Sequence, residues 1–453
     1  MKKIFIFISI ISSIALATKV NLYEVDGTKV DNANRAKGPK ALVKKDRTQK
    51  GHGVESVYAI QDTFNISSKD SVAWLEMEKN TDYTICTDDA HDGMWKGTGF
   101  SFKKENNCIQ LNSGNYVKSG KIWYVTNMGN VHTFNLLVGM KYVDLTTQEH
   151  LIGTDLHCLR TKSGNCVYKD PIRRVRIEKI LAVDKYKVTD CEFVHALWDS
   201  IPVQKNKNLD DNNNFWIEKK MLMKKNEYCD AHDSAAIRVH LYHAFIYANV
   251  RSLRDGFKPV YSFKKTESMK RSFDKKDGSF NIDGTSFFAN VAENIKVVID
   301  ENADGYRLPY YDEWMAFSRG GTGTYGEKNL NDSTRKSQYA WFGVQESDDF
   351  YSNLDKNKFV NKITLKHSCG LWKQKSRPVG MLKSNDYGLY DVLGLVCERV
   401  MLPGKSLFHN EVSSCKGGFL TSSVDELNVR NHCDDDGFAS KLYQGLRLVR
   451  QIK

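Results

Sequence analysis

What the sequence lacks narrows its chemistry first. None of its ten cysteines forms a Cys-x-x-Cys pair, and none stands in a Cys/His pattern spaced for zinc, so the common zinc modules are excluded by pattern. There is no internal repeat, which sets aside solenoids and propellers. Beyond the N-terminus no run approaches the ~20 apolar residues that cross a bilayer. The net charge of +11 is spread through loops and gathers on no periodic face, so nucleic acid is not the expected partner.

What is present begins with an export pattern. Lys2 and Lys3 precede the apolar run Ile4–Leu16, broken only by Ser9, Ser12 and Ser13, and Ala15-Leu16-Ala17 follows. This is the layout of a secretory signal peptide, residues 1–17, with cleavage expected after Ala17. A retained anchor is the alternative, but the run is short for it. No cysteine follows the small residues, so a lipoprotein is not expected. The protein is therefore expected to be secreted, periplasmic or at the cell surface, with no transmembrane segment after cleavage.

Export gives the cysteines a meaning, since an oxidising compartment favours disulfides. The ten are Cys86, Cys108, Cys158, Cys166, Cys191, Cys229, Cys369, Cys397, Cys415 and Cys433. Cys86 with Cys108 and Cys158 with Cys166 are possible local pairs, but connectivity stays open and free buried thiols are the alternative. Basic runs at Lys29–Lys50, Lys264–Lys276 and Lys356–Lys375 are either solvated loops or a match for acidic polysaccharide or an anionic envelope.

Residues 18–53 are polar and basic and read as a leader. Residues 54–150 carry short strand-like runs such as Val72–Leu75, Ile122–Val125 and Phe134–Val138, separated by turn clusters. They suggest a small β-sandwich. Trp74, Trp95 and Trp123 could stack on sugar rings there, or could be core. Residues 145 to about 170 read as a connector. From about residue 171 to residue 453 the pattern is one α+β domain. Helical spacing covers Thr189–Trp198, with Thr189-Asp190 as cap, Ala235–Leu253, and a third helix from near Tyr310 to about Ser318. Gln204–Asn214 and Phe263–Gly278 read as polar insertions.

Several C-terminal segments are colinear with one family. They are Arg176–Asp190, Ile237–Ser252, Tyr306–Pro309 with Glu313-Trp314 and Arg319–Gly321, Tyr339–Gly343, Pro378–Gly380, Asn385–Asp391, Gly394–Glu398, Lys416–Gly418 and Gly445–Arg450. Together they resemble a formylglycine-generating-enzyme (sulfatase-modifying-factor) domain. The resemblance covers about 275 residues and implies a C-type-lectin-like α+β fold. In the residues themselves, Arg307 can fork two bonds to a carboxylate, with Glu313 one possible partner, and the paired glycines permit positive φ.

The resemblance also implies calcium, held by the side chains of Asp391 and Glu398 and the carbonyls of Gly394 and Val396. Such a mixed oxygen set suits that ion. The family's Asn and two Trp are replaced here by Leu395, Cys397 and Arg399, and Arg399 could neutralise Glu398 instead. A second family site would begin at Asn353 and the Leu354 carbonyl, but its Asp has no match near Cys369. Active members carry two copper(I)-binding cysteines after the glycine pair; soft thiolates suit that ion. Ser422 and Leu427 occupy those positions, so copper is not expected. Cys415 and Cys433 lie outside that spacing and could join in a disulfide. His240 and His243 share a helix face without a third ligand, and Asp434–Asp436 lacks a complete calcium loop.

No catalytic residue is therefore expected. The leading expectation is an exported, non-catalytic or repurposed member of this fold, binding a protein or polysaccharide ligand through the loops Tyr306–Tyr325 and Phe419–Asn431. The alternatives are a divergent oxidase acting on a protein cysteine, and carbohydrate binding by the N-terminal β domain.

Overall fold

The computed structural model describes residues 42–46, 57–60, 71–86, 93–105, 108–127, 129–153, 159–160, 166–168, 172–203, 211–225, 229, 233–265, 295–320, 337–342, 377–402, 413–420, 422, 432–433 and 443–452. The chain divides into two compact units, residues 1–140 and 141–453. Among the described residues no helix is long and apolar enough to cross a membrane.

The described residues of the first unit form strands and their connections, with no helix among them. One sheet joins β1 (Leu42–Asp46), β2 (Val57–Ile60), β4 (Asp82–Cys86), β6 (Phe102–Glu105) and β7 (Cys108–Asn112) in the order β2-β1-β4-β7-β6. The other joins β3 (Ser71–Met77), β5 (Met94–Thr98), β8 (Lys118–Val125) and β9 (Val131–Val138) in the order β3-β9-β8-β5. Alternation along each strand sends every second side chain inward. Leu75, Ile85, Leu111, Ile122 and Phe134, drawn from both sheets, share one core. Trp95 belongs to that core, packed on Tyr124 and Phe134 at ring separations of 5.0 and 5.8 Å. It is therefore no exposed platform for a sugar, whereas Trp74 and Trp123 are half-buried. Cys86 stands directly opposite Cys108 in the β4–β7 register, and Cys108 is disulfide-bonded.

The second unit is mixed. β10 (Met140–Asp144) joins the central sheet. The stretch read as a connector contributes strands: β11 (Glu149–Ile152) pairs with β14 (Arg173–Arg176), and β12 (Leu159–Arg160) pairs with β13 (Cys166–Tyr168). Cys158 lies outside the described residues. The central sheet has the order β10-β15-β23-β18, with β15 (Ile180–Asp184), β18 (Tyr306–Arg307) and β23 (Val449–Ile452). A second sheet has the order β21-β20-β19-β22, formed by β19 (Cys397–Met401), β20 (Ser413–Lys416), β21 (His432–Cys433) and β22 (Gln444–Gly445). β16 (Tyr261–Lys265) and β17 (Ile295–Ile299) form a separate ribbon.

Helix α1 spans Asp190–Ala196, and its N-cap Thr189 accepts the Glu192 N–H through its side chain, as the Thr-Asp signal predicts. α2 (Asp211–Leu222) was not expected. It begins inside a stretch that reads as a polar insertion, and Trp216 and Ile217 bury completely beneath it. α3 spans Leu241–Arg254, starting six residues after the periodicity does. The residues before it are extended because tertiary partners claim their backbone. Ala236 N–H donates to Val188 O at 2.9 Å, Val239 N–H to Gln444 O at 2.9 Å, and Arg238 takes φ of +54°. α4 (Tyr311–Ser318) follows the Arg-Leu-Pro segment. Arg307 does fork onto Glu313, at 2.6 and 2.7 Å, and Glu313 also accepts the Tyr310 N–H at 2.9 Å. Burial would raise the Glu313 carboxyl, but Arg307 and Lys179 outweigh it and hold it below the usual range.

The central strand is pinned to α3 by one pair. Arg251 grips Asp184 through two bonds of 2.8 Å, both side chains are buried, and Asp184 also accepts the Leu448 N–H at 3.0 Å. Arg251→Met would strand a buried carboxylate. It is expected to lower unfolding free energy by about 3–5 kcal/mol, read by urea titration. Breaking the half-exposed Arg173–Asp312 pair should cost under about 1 kcal/mol. Equal losses from the two would show that burial of the first pair contributes nothing.

Candidate functional site

The turn Asp391–Val396 and the strand β19 that follows it carry the expected cation site. All of these residues are buried. The turn is tight: Asp391, Gly394 and Leu395 have φ of +53°, +73° and +64°. Gly394 has no alternative, because a Cβ there would lie 2.1 Å from the Trp341 carbonyl oxygen. Leu395 stands where the family pattern has Asn, a residue that tolerates left-handed backbone, and it bears a penalty on the order of 1–2 kcal/mol. Its N–H donates to Trp341 O at 2.9 Å, its carbonyl accepts from Leu420 N at 3.0 Å, and its side chain is fully buried.

Glu398 arrives on β19 with its partners already in place. Lys187 Nζ donates to Oε1 at 2.7 Å, Arg447 Nε to the same oxygen at 2.9 Å, and Trp314 Nε1 to Oε2 at 2.8 Å. Glu398, Lys187 and Arg447 are each 0% exposed. Burial alone would raise the Glu398 carboxyl, but Arg447 and Lys187 hold it below the usual range. Burial lowers the Lys187 ammonium to about 8, with Glu398 limiting the fall, so both stay charged at neutral pH. Arg447 further donates to the carbonyls of Asp184, Lys185 and Tyr390 at 2.7, 3.0 and 2.6 Å.

This arrangement does not fit the calcium expectation. Both oxygens of Glu398 already accept hydrogen bonds, and an ammonium and a guanidinium balance its charge without a divalent ion. Asp391 accepts the Gly380 N–H at 2.6 Å through one oxygen, while the other is buried without a hydrogen bond. Burial raises its carboxyl, against the Gly380 N–H, Lys187 and Arg447. Gly394 and Val396 flank Leu395 in the same turn. Arg399 is not the neutralising group; its Nη2 donates to Gln444 Oε1 at 2.6 Å. Asn353 and Leu354 lie outside the described residues.

Of the segment that would carry copper ligands, Ser422 is the described residue. Ser422 is 3% exposed. Its hydroxyl accepts the Phe419 N–H at 3.1 Å, and its own N–H donates to Phe419 O at 2.9 Å. Leu427 lies outside the described residues. Cys415 is bonded to Cys397, not to Cys433. Cys433 is the β-sheet neighbour of Cys415 on one side, but β19 brings Cys397 in from the other.

Around this turn lies a rim of half-buried side chains: Tyr186, Phe215, Met381, Leu382 and Phe419, packed on a buried cluster that includes Leu395, Val396 and Leu420. Phe419 stacks on Tyr443 at 5.7 Å, and the Arg238 guanidinium lies 5.4 Å over Phe215. Of the loop expected to meet a ligand, the part from Tyr306 to Leu308 is core, 0–5% exposed. His240 caps α3 by accepting the Tyr242 N–H at 3.3 Å, and burial, then His240, pushes the buried His243 well below the ordinary histidine value. Asp434–Asp436 lie outside the described residues.

Sequence reading missed Lys187 and Arg447 as partners of Glu398. A signal existed: Lys187 stands between Tyr186 and Val188 and Arg447 between Leu446 and Leu448, and a charge buried among such neighbours needs a partner. What the partner is could not be read.

Mixed sheets and few helices define a β-rich α+β domain, and Glu398, Lys187 and Arg447 form a buried ion cluster inside it. The sulfatase-modifying factor enzyme 1-like domain model matches residues 148–452, and the chain belongs to that family. It is 28% identical over 229 residues to the chaperone protein LppX of Paenibacillus barcinonensis, covering 47% of this chain and 68% of that protein. Among solved structures it is similar to Treponema denticola variable protein 1, at 17% identity and a TM-score of 0.39, over 71% of this chain and 96% of that one. PvdO from Pseudomonas aeruginosa is also similar, at 15% identity and a TM-score of 0.32, over 69% of this chain and 94% of that one.

Lys187→Met should cost about 3–5 kcal/mol, the loss typical of removing one partner from a buried charge cluster. EDTA should leave the wild-type melting temperature unchanged. A fall on chelation would show that a metal, not Lys187, completes the cluster. Because the folded value of Glu398 lies below the ordinary glutamate value of about 4.3, its stabilisation is full above that pH. It disappears as pH falls through the folded value. Glu398→Gln should flatten the stability–pH curve in that acid window, as read by thermal melts across pH.

Proposed function

We propose that the protein is an exported, non-catalytic binding member of its family, and that its ligand is another protein. The observation that carries this reading is Ser422, whose hydroxyl stands at the first copper-cysteine position and is spent on closing a turn. A hydroxyl is a poor ligand for copper(I), and the nearest described cysteine, Cys415, is already in a disulfide. The ligand meets the rim around that turn, where Phe215, Phe419, Met381 and Leu382 supply apolar area and Arg238 and Lys383 supply positive charge. A ligand with apolar and acidic side chains fits that surface, and the chaperone name of the LppX relative agrees with a protein ligand. The signal-peptide layout of residues 1–17 supports export to the periplasm, surface or medium. The same reading takes the C-terminal domain as a C-type-lectin-like scaffold and the first unit as a β-sandwich.

The competing reading is a divergent oxidase, and one assay separates them. The protein is incubated with a cysteine-containing sulfatase-motif peptide, copper(I) and oxygen, and the peptide is weighed for conversion of thiol to aldehyde. No conversion is expected. Aldehyde formation that is lost in Cys415→Ser would sink the binding reading. A photocrosslinking residue at position 419 should capture a defined protein in the native host, and Arg238→Glu should reduce that capture about tenfold or more, as loss of an interfacial charge pair does.

A further inference from the structure

The disulfide between Cys191 and Cys229 lies in a corner that the proposed ligand rim does not use. Cys191 is in the first turn of α1 and His195 follows four residues later, so both side chains rise from one helix face. The sulfurs of Cys191 and Cys229 and one ring nitrogen of His195 all lie within 4.8 Å of one another. The three residues are 7%, 1% and 9% exposed.

Two sulfurs and an imidazole are three ligands of a tetrahedral zinc site, with a fourth position left for water or a carboxylate. In such a site the ligand atoms stand ~3.5–4 Å apart, given metal bonds of ~2.0–2.3 Å. The corner holds them within 4.8 Å of one another, near that spread, with the two sulfurs drawn closer by their bond. Two thiolates would cancel the charge of a zinc ion, so no net charge would be buried. The Asp233 carboxylate is adjacent, accepting the Cys191 N–H at 2.7 Å. The helices do not rely on the disulfide alone for their positions. Phe193 of α1 packs on Trp216 of α2 at 4.2 Å, and Lys219 of α2 reaches Asp190 at 2.6 Å. Cys191 and His195 would therefore keep their places once the bond opened.

We propose that Cys191, Cys229 and His195 form a zinc site that is masked by oxidation and exposed by reduction. A dithiol reductant supplies two electrons and two protons. The Cys191–Cys229 bond breaks to two thiols, and the reductant closes its own disulfide. Zinc(II) then binds to the two sulfurs and His195 as the thiols release two protons.

The test uses the full chain, reduced with a dithiol, desalted under nitrogen and titrated with cobalt(II) as a coloured stand-in for zinc. A thiolate-to-cobalt absorption band saturating with the occupancy of this site is expected. It should be absent from the oxidised protein and from Cys191→Ser, and at least about tenfold harder to saturate in His195→Gln. His195→Gln keeps the disulfide, so an unchanged melting temperature in its oxidised form separates loss of a ligand from loss of fold. On the wild-type chain, zinc should protect Cys191 and Cys229 from iodoacetamide, read by peptide mass mapping. Equal alkylation of the two with and without zinc would overturn the proposal, as would a cobalt band indifferent to Cys191→Ser.

Discussion

A carboxylate without water needs its countercharge built into the fold, and Glu398 is where that requirement is most severe. Its solvation is replaced by an ammonium, a guanidinium and an indole N–H, all within 2.9 Å. The donors come from the loop after β15, the segment between β22 and β23, and α4. Four distant stretches of chain must therefore meet at one side chain before any of their charges is stable. Arg447 extends the same constraint by capping carbonyls of Asp184, Lys185 and Tyr390. The Asp184–Arg251 pair carries it onward to α3.

The turn before β19 shows what this junction demands of the backbone. Three positions take positive φ, and one is a leucine, kept there by two backbone hydrogen bonds and a fully buried side chain. A residue poorly suited to the conformation survives because packing around it compensates. A buried ion cluster is weak grounds for high stability, since desolvating the charges offsets much of their attraction. Its stronger effect is on uniqueness, because any other assembly of these segments leaves a charge buried without a partner.

Sequence patterns located the local features well. The capped start of α1, the helix after Arg-Leu-Pro and the Arg307–Glu313 fork are each written within a few residues of themselves. α2 was hidden because it opens with one Asp and three Asn, and its apolar residues fall in two short runs, Phe215–Ile217 and Met221-Leu222, of which Trp216 and Ile217 are fully buried. The late start of α3 was hidden for the opposite reason: Ala235 to Val239 have helical periodicity, but their backbone donors are claimed by Val188 and Gln444. Tertiary hydrogen bonds overrode a local preference.

The sequence by itself determined the family scaffold, the absence of a cysteine at the Ser422 position, and those pairs whose partners lie within one turn of helix. Tertiary structure alone decided that Glu398 belongs to Lys187 and Arg447, partners 211 and 49 residues away, and that Cys415 pairs with Cys397 and not with Cys433. The reason is physical. A contact within a turn is fixed by backbone geometry, so residue type and spacing specify it. A contact across the chain depends on which strands become neighbours, and identical cysteines or interchangeable cations carry no mark of the partner they will meet.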